Sequence, residues 1–174
     1  MLKDTSLLAN FQQTFYIFTD MNRNKTYAIG LMSGTSLDGL DLVYVKFMYQ
    51  NTYKFEILFQ ETIQYSEEWQ KKIQNGSELG SKYLKKLDIA YGIFLADKVN
   101  SFIKKNQIDK VDFIASHGHT IFHQPNQGIT RQIGSGQHIA DATGLRVICD
   151  FRTQDVEYGG QGAPLVPIGD RFLF

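Results

Sequence analysis

Tyr27-Ala28-Ile29-Gly30-Leu31-Met32-Ser33-Gly34-Thr35-Ser36-Leu37-Asp38-Gly39-Leu40-Asp41-Leu42-Val43-Tyr44-Val45 is the stretch on which the fold turns. The apolar run 27–29 leads in, the run 42–45 leads out, and a polar turn carrying Ser33, Thr35, Ser36 and Asp38 lies between. This pattern predicts two strands joined as a hairpin with a polar tip. Gly30, Gly34 and Gly39 permit positive φ and close approach of a ligand to the backbone. Exposed N–H groups in such a turn form an anion-binding concavity, to which the hydroxyls add donors. Asp38 and Asp41 fit beside a phosphate only if a divalent cation bridges them, and Mg²⁺ prefers carboxylate, water and phosphate oxygens. Two readings stand together: a nucleotide phosphate loop with Mg²⁺, and an ordinary Gly/Ser/Asp hairpin turn.

Working outward, Tyr53, Phe55, Ile57 and Phe59 alternate with Lys54, Glu56 and Leu58, which predicts a third strand with one core face after a turn at residues 48–52. Three short-linked strands make an antiparallel meander. A helix is predicted over 66–74, capped by Ser66, with Glu67 and Glu68 in its first turn, Lys71 and Lys72 near its end, and Asn75-Gly76 closing it. The longest helix, 81–105, follows from Leu84, Leu87, Tyr91, Phe94, Leu95, Val99 and Phe102 recurring at three- and four-residue steps. Gly92 inside it predicts close packing on the sheet. Residues 111–115 then form a strand, and a strand–helix–strand crossover demands parallel pairing. The sheet is therefore mixed. A short strand at 130–134, a helix 136–143 capped by Ser135 and stopped by Gly144, a strand 146–150 and a helix from about Pro167 complete the chain.

Strand 111–115 delivers Ser116-His117-Gly118-His119-Thr120 at its C-terminal end, where ligand sites of open α/β sheets lie. His117, His119 and His123 can be read as a zinc cluster, but no Cys, Asp or Glu nearby completes the set. Hydrogen bonding of a sugar hydroxyl or phosphate by His117 and Thr120 is the stronger reading, and His119 is a group titratable near neutrality. After the last strand, Arg152 can clamp a carboxylate or phosphate with its planar fork, or pair blandly with Asp150 or Asp155. Gly159-Gly160-Gln161-Gly162-Ala163-Pro164 reads as a flexible loop, either a mobile substrate loop or a linker.

Composition bounds the rest. A chain of 174 residues is long enough for one core, and 43% hydrophobic with 21% charged residues is ordinary for a globule. Lys+Arg and Asp+Glu both number 18, so bulk charge points to neither nucleic acid nor a membrane surface. The single cysteine, Cys149, excludes an internal disulfide; its apolar strand predicts a buried thiol, in keeping with a cytoplasmic protein. Phe11, Phe15, Tyr16, Ile17 and Phe18 are interrupted by Gln12, Gln13 and Thr14, short of the roughly 18 apolar residues of a membrane helix, and no secretory signal pattern is present. Residues 1–25 read as an extension, with Met21 as the start of the native protein, and 26–174 as the domain.

Three motifs in order carry a resemblance: Gly30 to Asp41, Ser116-His117-Gly118-His119-Thr120-Ile121-Phe122-His123-Gln124-Pro125, and Asp150-Phe151-Arg152 through Gly159-Gly160-Gln161-Gly162-Ala163-Pro164-Leu165-Val166-Pro167. They resemble the anhydro-N-acetylmuramic acid kinases, of the superfamily that unites actin, sugar kinases and heat-shock-chaperone ATPases. The resemblance implies an α/β, ribonuclease-H-like lobe. It implies ATP and Mg²⁺ at Gly34, Thr35, Ser36, Leu37, Asp38, Gly39, Leu40 and Asp41, with Asp38 reaching the metal through water. His117, Thr120, Arg152 and Gln161 would face the sugar. Where this chain has His119, the family usually has Gln. The reaction implied is ATP- and water-dependent conversion of 1,6-anhydro-N-acetylmuramic acid to N-acetylmuramic acid 6-phosphate in peptidoglycan recycling, by a cytoplasmic homodimer. The second phosphate loop and the catalytic Asp of the family match nothing here, so the chain reads as an N-terminal half, truncated at its C-terminal end and inactive alone. The alternative in the same superfamily is a non-catalytic ATP-binding or chaperone-like lobe.

Overall fold

The computed structural model describes residues 25–174. The extension read at 1–25 and the start at Met21 therefore fall, apart from Lys25, outside the described residues. Strands β1 (Lys25–Ser33), β2 (Leu40–Gln50) and β3 (Thr52–Ile63) form the antiparallel meander. The turn between β2 and β3 is tighter than the sequence predicts, since Gln50 pairs with Thr52 around Asn51, which takes a positive φ of 64°. Helices α1 (Glu67–Gln74) and α2 (Ser81–Lys105) follow, with one 3₁₀ turn (Asn75–Glu78) between them. Then come β4 (Phe113–Gln124), β5 (Ile129–Ile133), α3 (Gly136–Thr143), β6 (Val147–Cys149), α4 (Thr153–Glu157) and α5 (Leu165–Leu173).

The sheet order is β3-β2-β1-β4-β5, with β6 also on β4. β4 runs parallel to β1 and to β6 through residues 113–116 and antiparallel to β5 beyond His119. An antiparallel meander continued by parallel strands is the mixed sheet predicted from the crossover, and it is consistent with an actin-like ATPase lobe.

Helix α2 covers one face. Leu84, Leu87, Tyr91, Leu95, Val99 and Phe102 are buried on its inner stripe, as spaced. They pack on Ile29, Leu31, Leu40, Leu42, Tyr44 and Ile114, and each fully buried aliphatic or aromatic side chain contributes about 1.5–3 kcal/mol. The helix ends where Asn106 takes over, its side-chain and backbone N–H groups both donating to the Phe102 carbonyl. Asp112 then accepts the Tyr27 amide proton at 2.8 Å, seating the crossover beside β1. In α1 the Ser66 hydroxyl accepts from the Trp69 N–H at 3.3 Å, so this cap forms as predicted.

Several local expectations need correction. Gly92 does not meet the sheet; a Cβ there would lie 2.7 Å from the Ser135 carbonyl oxygen, so the close contact is with the start of α3. Ser135 occupies the cap position of α3 but its hydroxyl bonds the His138 ring rather than a backbone N–H. α5 begins at Leu165, before Pro167. The core face read on β3 is broken by a bulge at Leu58, between the pairs Tyr44–Phe59 and Val45–Ile57. Ile57 and Phe59 consequently fall on opposite faces of an edge strand, and both are exposed. Tyr53 and Phe55 lie away from α2, against Phe172 of α5 and Phe174 just after it. Cys149 is exposed, at the end of a three-residue strand, with its thiol beside Gly136 at the start of α3. Among the described residues no helix is long and apolar enough to cross a membrane.

Candidate functional site

The polar hairpin forms as read, but narrower: Ser33 pairs with Leu40, leaving residues 34–39 as the loop. Thr35, Ser36 and Asp38 are exposed at its tip. The Leu37 N–H bonds the Gly34 carbonyl at 3.3 Å, and the positive φ falls on Leu37 (58°), not on a glycine. Gly39 serves packing: a Cβ there would lie 2.9 Å from the Ile63 carbonyl oxygen of β3. Leu40 is fully buried in the core, and Asp41, already in β2, accepts the Thr62 hydroxyl at 2.6 Å. The surface of this loop that can meet a ligand is therefore 34–38. There the Ser36 hydroxyl donates to Asp38 Oδ1 at 2.6 Å. That bond, and then the N–H groups of Asp38 and Gly39, hold the Asp38 carboxyl below the usual carboxylate range. Hydroxyl and amide donors that converge on a carboxylate suit phosphate oxygens equally.

Beneath the loop a buried chain of hydroxyls anchors its first residue. The Tyr65 hydroxyl donates to Ser33 Oγ at 2.7 Å, and Ser33 Oγ lies 2.8 Å from His119 Nδ1. Tyr91 closes the chain 2.5 Å from Tyr65. Tyr65 spends its proton on Ser33, so Tyr91 donates to Tyr65, and the direction of the Ser33–His119 bond follows the imidazole tautomer. Burial raises both tyrosines well above the ordinary phenol range. Burial, with the neighbouring His117 ring, pushes His119 down to about 4. His119 is thus a neutral buried ring bonded to Ser33, not the near-neutral titrating group read from the sequence.

The Ser-His-Gly-His-Thr motif lies inside β4 rather than at its end. Leu31 pairs with Ser116 and Ser33 with His119, so β4 carries one extra residue at 117–118. Gly118 takes φ 66°, where a Cβ would come 2.5 Å from the Ile133 carbonyl oxygen. Only glycine fits such a bulge, and bulges re-aim side chains. His119 turns to the α2 face beside Ser33. His117 Nε2 accepts from Arg152 Nε at 3.1 Å, and its Nδ1 donates to the Gly118 carbonyl at 3.1 Å, which fixes the tautomer. Burial, followed by the Arg152 charge, lowers the His117 pKa.

Arg152 follows β6, which ends level with Ser116. Its Nη1 donates to the Gly162 carbonyl at 2.9 Å, while the Gly162 N–H donates to Asp155 Oδ2 at 2.6 Å. Arg152 is therefore bound by His117 and Gly162 rather than paired with Asp150 or Asp155. The 159–164 loop, read as a mobile substrate loop or a linker, is bonded at Gly162, where φ is 73°. Gln161 is exposed on this pinned loop. Asp150, at φ 58°, accepts the Thr153 hydroxyl at 2.5 Å. Thr120 sits opposite Gln132, with 3.5 Å between its hydroxyl and the Gln132 amide nitrogen.

The structure brings His117 and Arg152 into contact and joins them to residues 34–38 through the Ser33–His119 bond. Sequence reading missed Tyr65 and gave Tyr91 only a core role; both act through long-range contacts, and Asp155, read as a partner of Arg152, instead accepts from the Gly162 N–H. The sequence holds one usable signal for the bulge, an isolated glycine between two histidines of a strand. Among the described residues no three His, Cys, Asp or Glu side chains are grouped to hold a metal.

A family description matches this chain over residues 26–174: anhydro-N-acetylmuramic acid kinase. The chain belongs to that family. It is similar to the anhydro-N-acetylmuramic acid kinase of Shewanella sp. strain ANA-3, at 44% identity over 151 residues, 83% of this chain and 40% of the relative. The kinase of Pseudoalteromonas translucida is 40% identical over 161 residues, covering 84% and 40% of the two chains. That of Haemophilus influenzae is 36% identical over 161 residues, covering 88% and 41%. The chain thus spans about 40% of the length of these anhydro-N-acetylmuramic acid kinases.

Proposed function

We propose that the chain is the N-terminal lobe of an enzyme that converts 1,6-anhydro-N-acetylmuramic acid, ATP and water to N-acetylmuramic acid 6-phosphate and ADP, in cytoplasmic peptidoglycan recycling. The observation that carries this is the family match over 26–174, combined with the convergence of its three motifs at one end of the parallel strands. Water adds at the anomeric carbon, the bridging C1–O6 bond breaks, and O6 takes the γ-phosphoryl group. The full enzyme works as a homodimer in this reading.

Thr35, Ser36 and the loop amides position the ATP phosphates. Asp38, exposed and held ionised, would be the residue of this chain that holds Mg²⁺, and its single carboxylate fits a metal that otherwise takes phosphate and water oxygens. The ion's contribution is charge neutralisation on the transferring group. Gln161 and Thr120 line the sugar side. The His117–Arg152 pair orients the sugar, and because His117 occupies Nε, the outer guanidinium edge is the part left for an anionic or hydroxyl group. Such positioning is the main work of phosphoryl-transfer sites. The general base is assigned to no residue of this chain.

The test is a chimera in which residues 26–174 replace the matching segment of the Haemophilus influenzae relative. With ATP, Mg²⁺ and 1,6-anhydro-N-acetylmuramic acid it should form the 6-phosphate, and residues 1–174 alone should form none. A folded chimera without product would sink the proposal. Product from the chain alone would move the base into this lobe, with Asp38 and Asp150 as first suspects.

A further inference from the structure

On the sheet face away from α2, Gln132 stands across from Thr120. Its Nε2 donates to Thr130 Oγ1 at 2.9 Å. Thr130 Oγ1 lies 3.2 Å from His123 Nδ1, and the His123 ring edge packs on Gly162, the residue gripped by Arg152 and Asp155. One polar surface therefore runs from Arg152 to Gln132. Within it, Gln132 Oε1 is buried and has no hydrogen-bond partner among the described residues. A buried amide oxygen without a donor is costly. Turning the amide over relocates the deficit to its nitrogen, because the threonine hydroxyls can serve either end.

We propose that Gln132 is a sugar-recognition residue, its side-chain oxygen accepting a hydrogen bond from a ring hydroxyl or the acetamido N–H of an amino sugar. This rests on the sugar-kinase reading and extends that site from His117 and Arg152 along β5. Thr130 and His123 are positioning residues that fix the amide. A site built to pair a polar group discriminates strongly against an analogue lacking it, since the site's own group then stays unpaired.

The test is a titration of ¹⁵N-labelled residues 1–174, to millimolar ligand, with 1,6-anhydro-N-acetylmuramic acid and separately with 1,6-anhydroglucose. The Gln132 side-chain NH₂, Arg152 Nε–H and His117 signals are followed by NMR. With the amino sugar all three should move along one saturation curve. Movement with 1,6-anhydroglucose as well assigns the donor to a ring hydroxyl; movement with the amino sugar alone assigns it to the acetamido N–H. Gln132→Met should bind the amino sugar about ten-fold more weakly with an unchanged thermal midpoint, because an apolar isostere removes the orphaned oxygen. Movement of Arg152 and His117 with Gln132 silent, or unchanged affinity in Gln132→Met, overturns the inference and leaves the kinase reading intact. Sugar that moves none of these signals also overturns the inference, while the kinase reading answers to the chimera.

Discussion

The loop 34–39 and the bulge 117–119 adjoin through the Ser33–His119 bond, yet they are held in opposite ways. The loop is tied by a 3.3 Å backbone bond, a surface hydroxyl–carboxylate pair and a 3.4 Å bond from Gln70 Nε2 to the Leu37 carbonyl, with Thr35 and Ser36 open to solvent. The bulge is bound from three directions: Ser33 below, Ile133 beside it, and Arg152, itself held by Gly162, above. Donors left free in a loop suit a ligand that is itself highly charged and can organise them. Side chains fixed before binding suit a ligand whose shape must be read. Substitutions should therefore separate the two walls, stability answering at one and binding at the other.

The widest separation should come from two like changes. Gly118→Val forces a β-branched residue to φ 66° and into the Ile133 carbonyl, and should cost about 3–5 kcal/mol in urea unfolding. Gly34→Val has no positive φ and only the flexible Ser36 hydroxyl within reach, so unfolding should barely change. In the chimera, however, its Cβ should obstruct the phosphates and weaken ATP binding. Equal destabilisation by both would erase the contrast.

Acid should find the bulge next. His119 has a folded pKa of about 4, below the ordinary value near 6.5. A depressed pKa means that the folded state binds fewer protons than the unfolded one. Its stability contribution is present above about pH 6.5 and lost as pH falls through 4, on the order of 3 kcal/mol in all. His117, shifted the same way, adds to the slope. Unfolding free energies measured across this window should fall steeply in the wild type and less in His119→Gln. An unchanged slope in the variant would mean that His119 is not the group charging.

The smallest effects distinguish Arg152 from Asp38. Arg152→Lys cannot serve His117 and Gly162 with one planar fork and should lose about 1–2 kcal/mol of stability along with chimera turnover. Asp38→Asn should leave the thermal midpoint unchanged and lower turnover, with a shifted magnesium dependence. A lysine variant of wild-type stability and activity would reduce Arg152 to a surface charge.

Much of this architecture was legible from periodicity. The α2 stripe from Leu84 to Phe102 fixed that helix to the residue, and the apolar runs around residues 34–39 fixed the hairpin. The crossover then dictated the parallel pair. The site was legible as a set of motifs but not as a mechanism of support. Tyr65 and Tyr91 lie 32 and 58 positions from Ser33 in sequence, and nothing local marks them as its partners. The burial of His119 follows from a bulge, which turns it to the side opposite that of strict alternation. Cys149 and the outer half of β3 failed for another reason: apolar sequence predicts a strand, but only the sheet's edges decide whether it is covered.

β4 carries a second extra residue at Ile121, since Thr120 pairs with Gln132 and Phe122 with Arg131. Each extra residue inverts which side chains face the helix, so two within six positions cancel. Ser116 and Phe122 keep the facing they would have in an uninterrupted strand, while between them His119 and Ile121 turn to the helix side and Thr120 turns away from it. The strand behaves like a sentence with two negations. Removing either one reverses everything after it, turning His123 inward and Phe122 out, whereas removing both returns the ends to register and reverses only the words between. Changes of length here are tolerable in pairs, and the pair marks the two positions where facing was traded for chemistry.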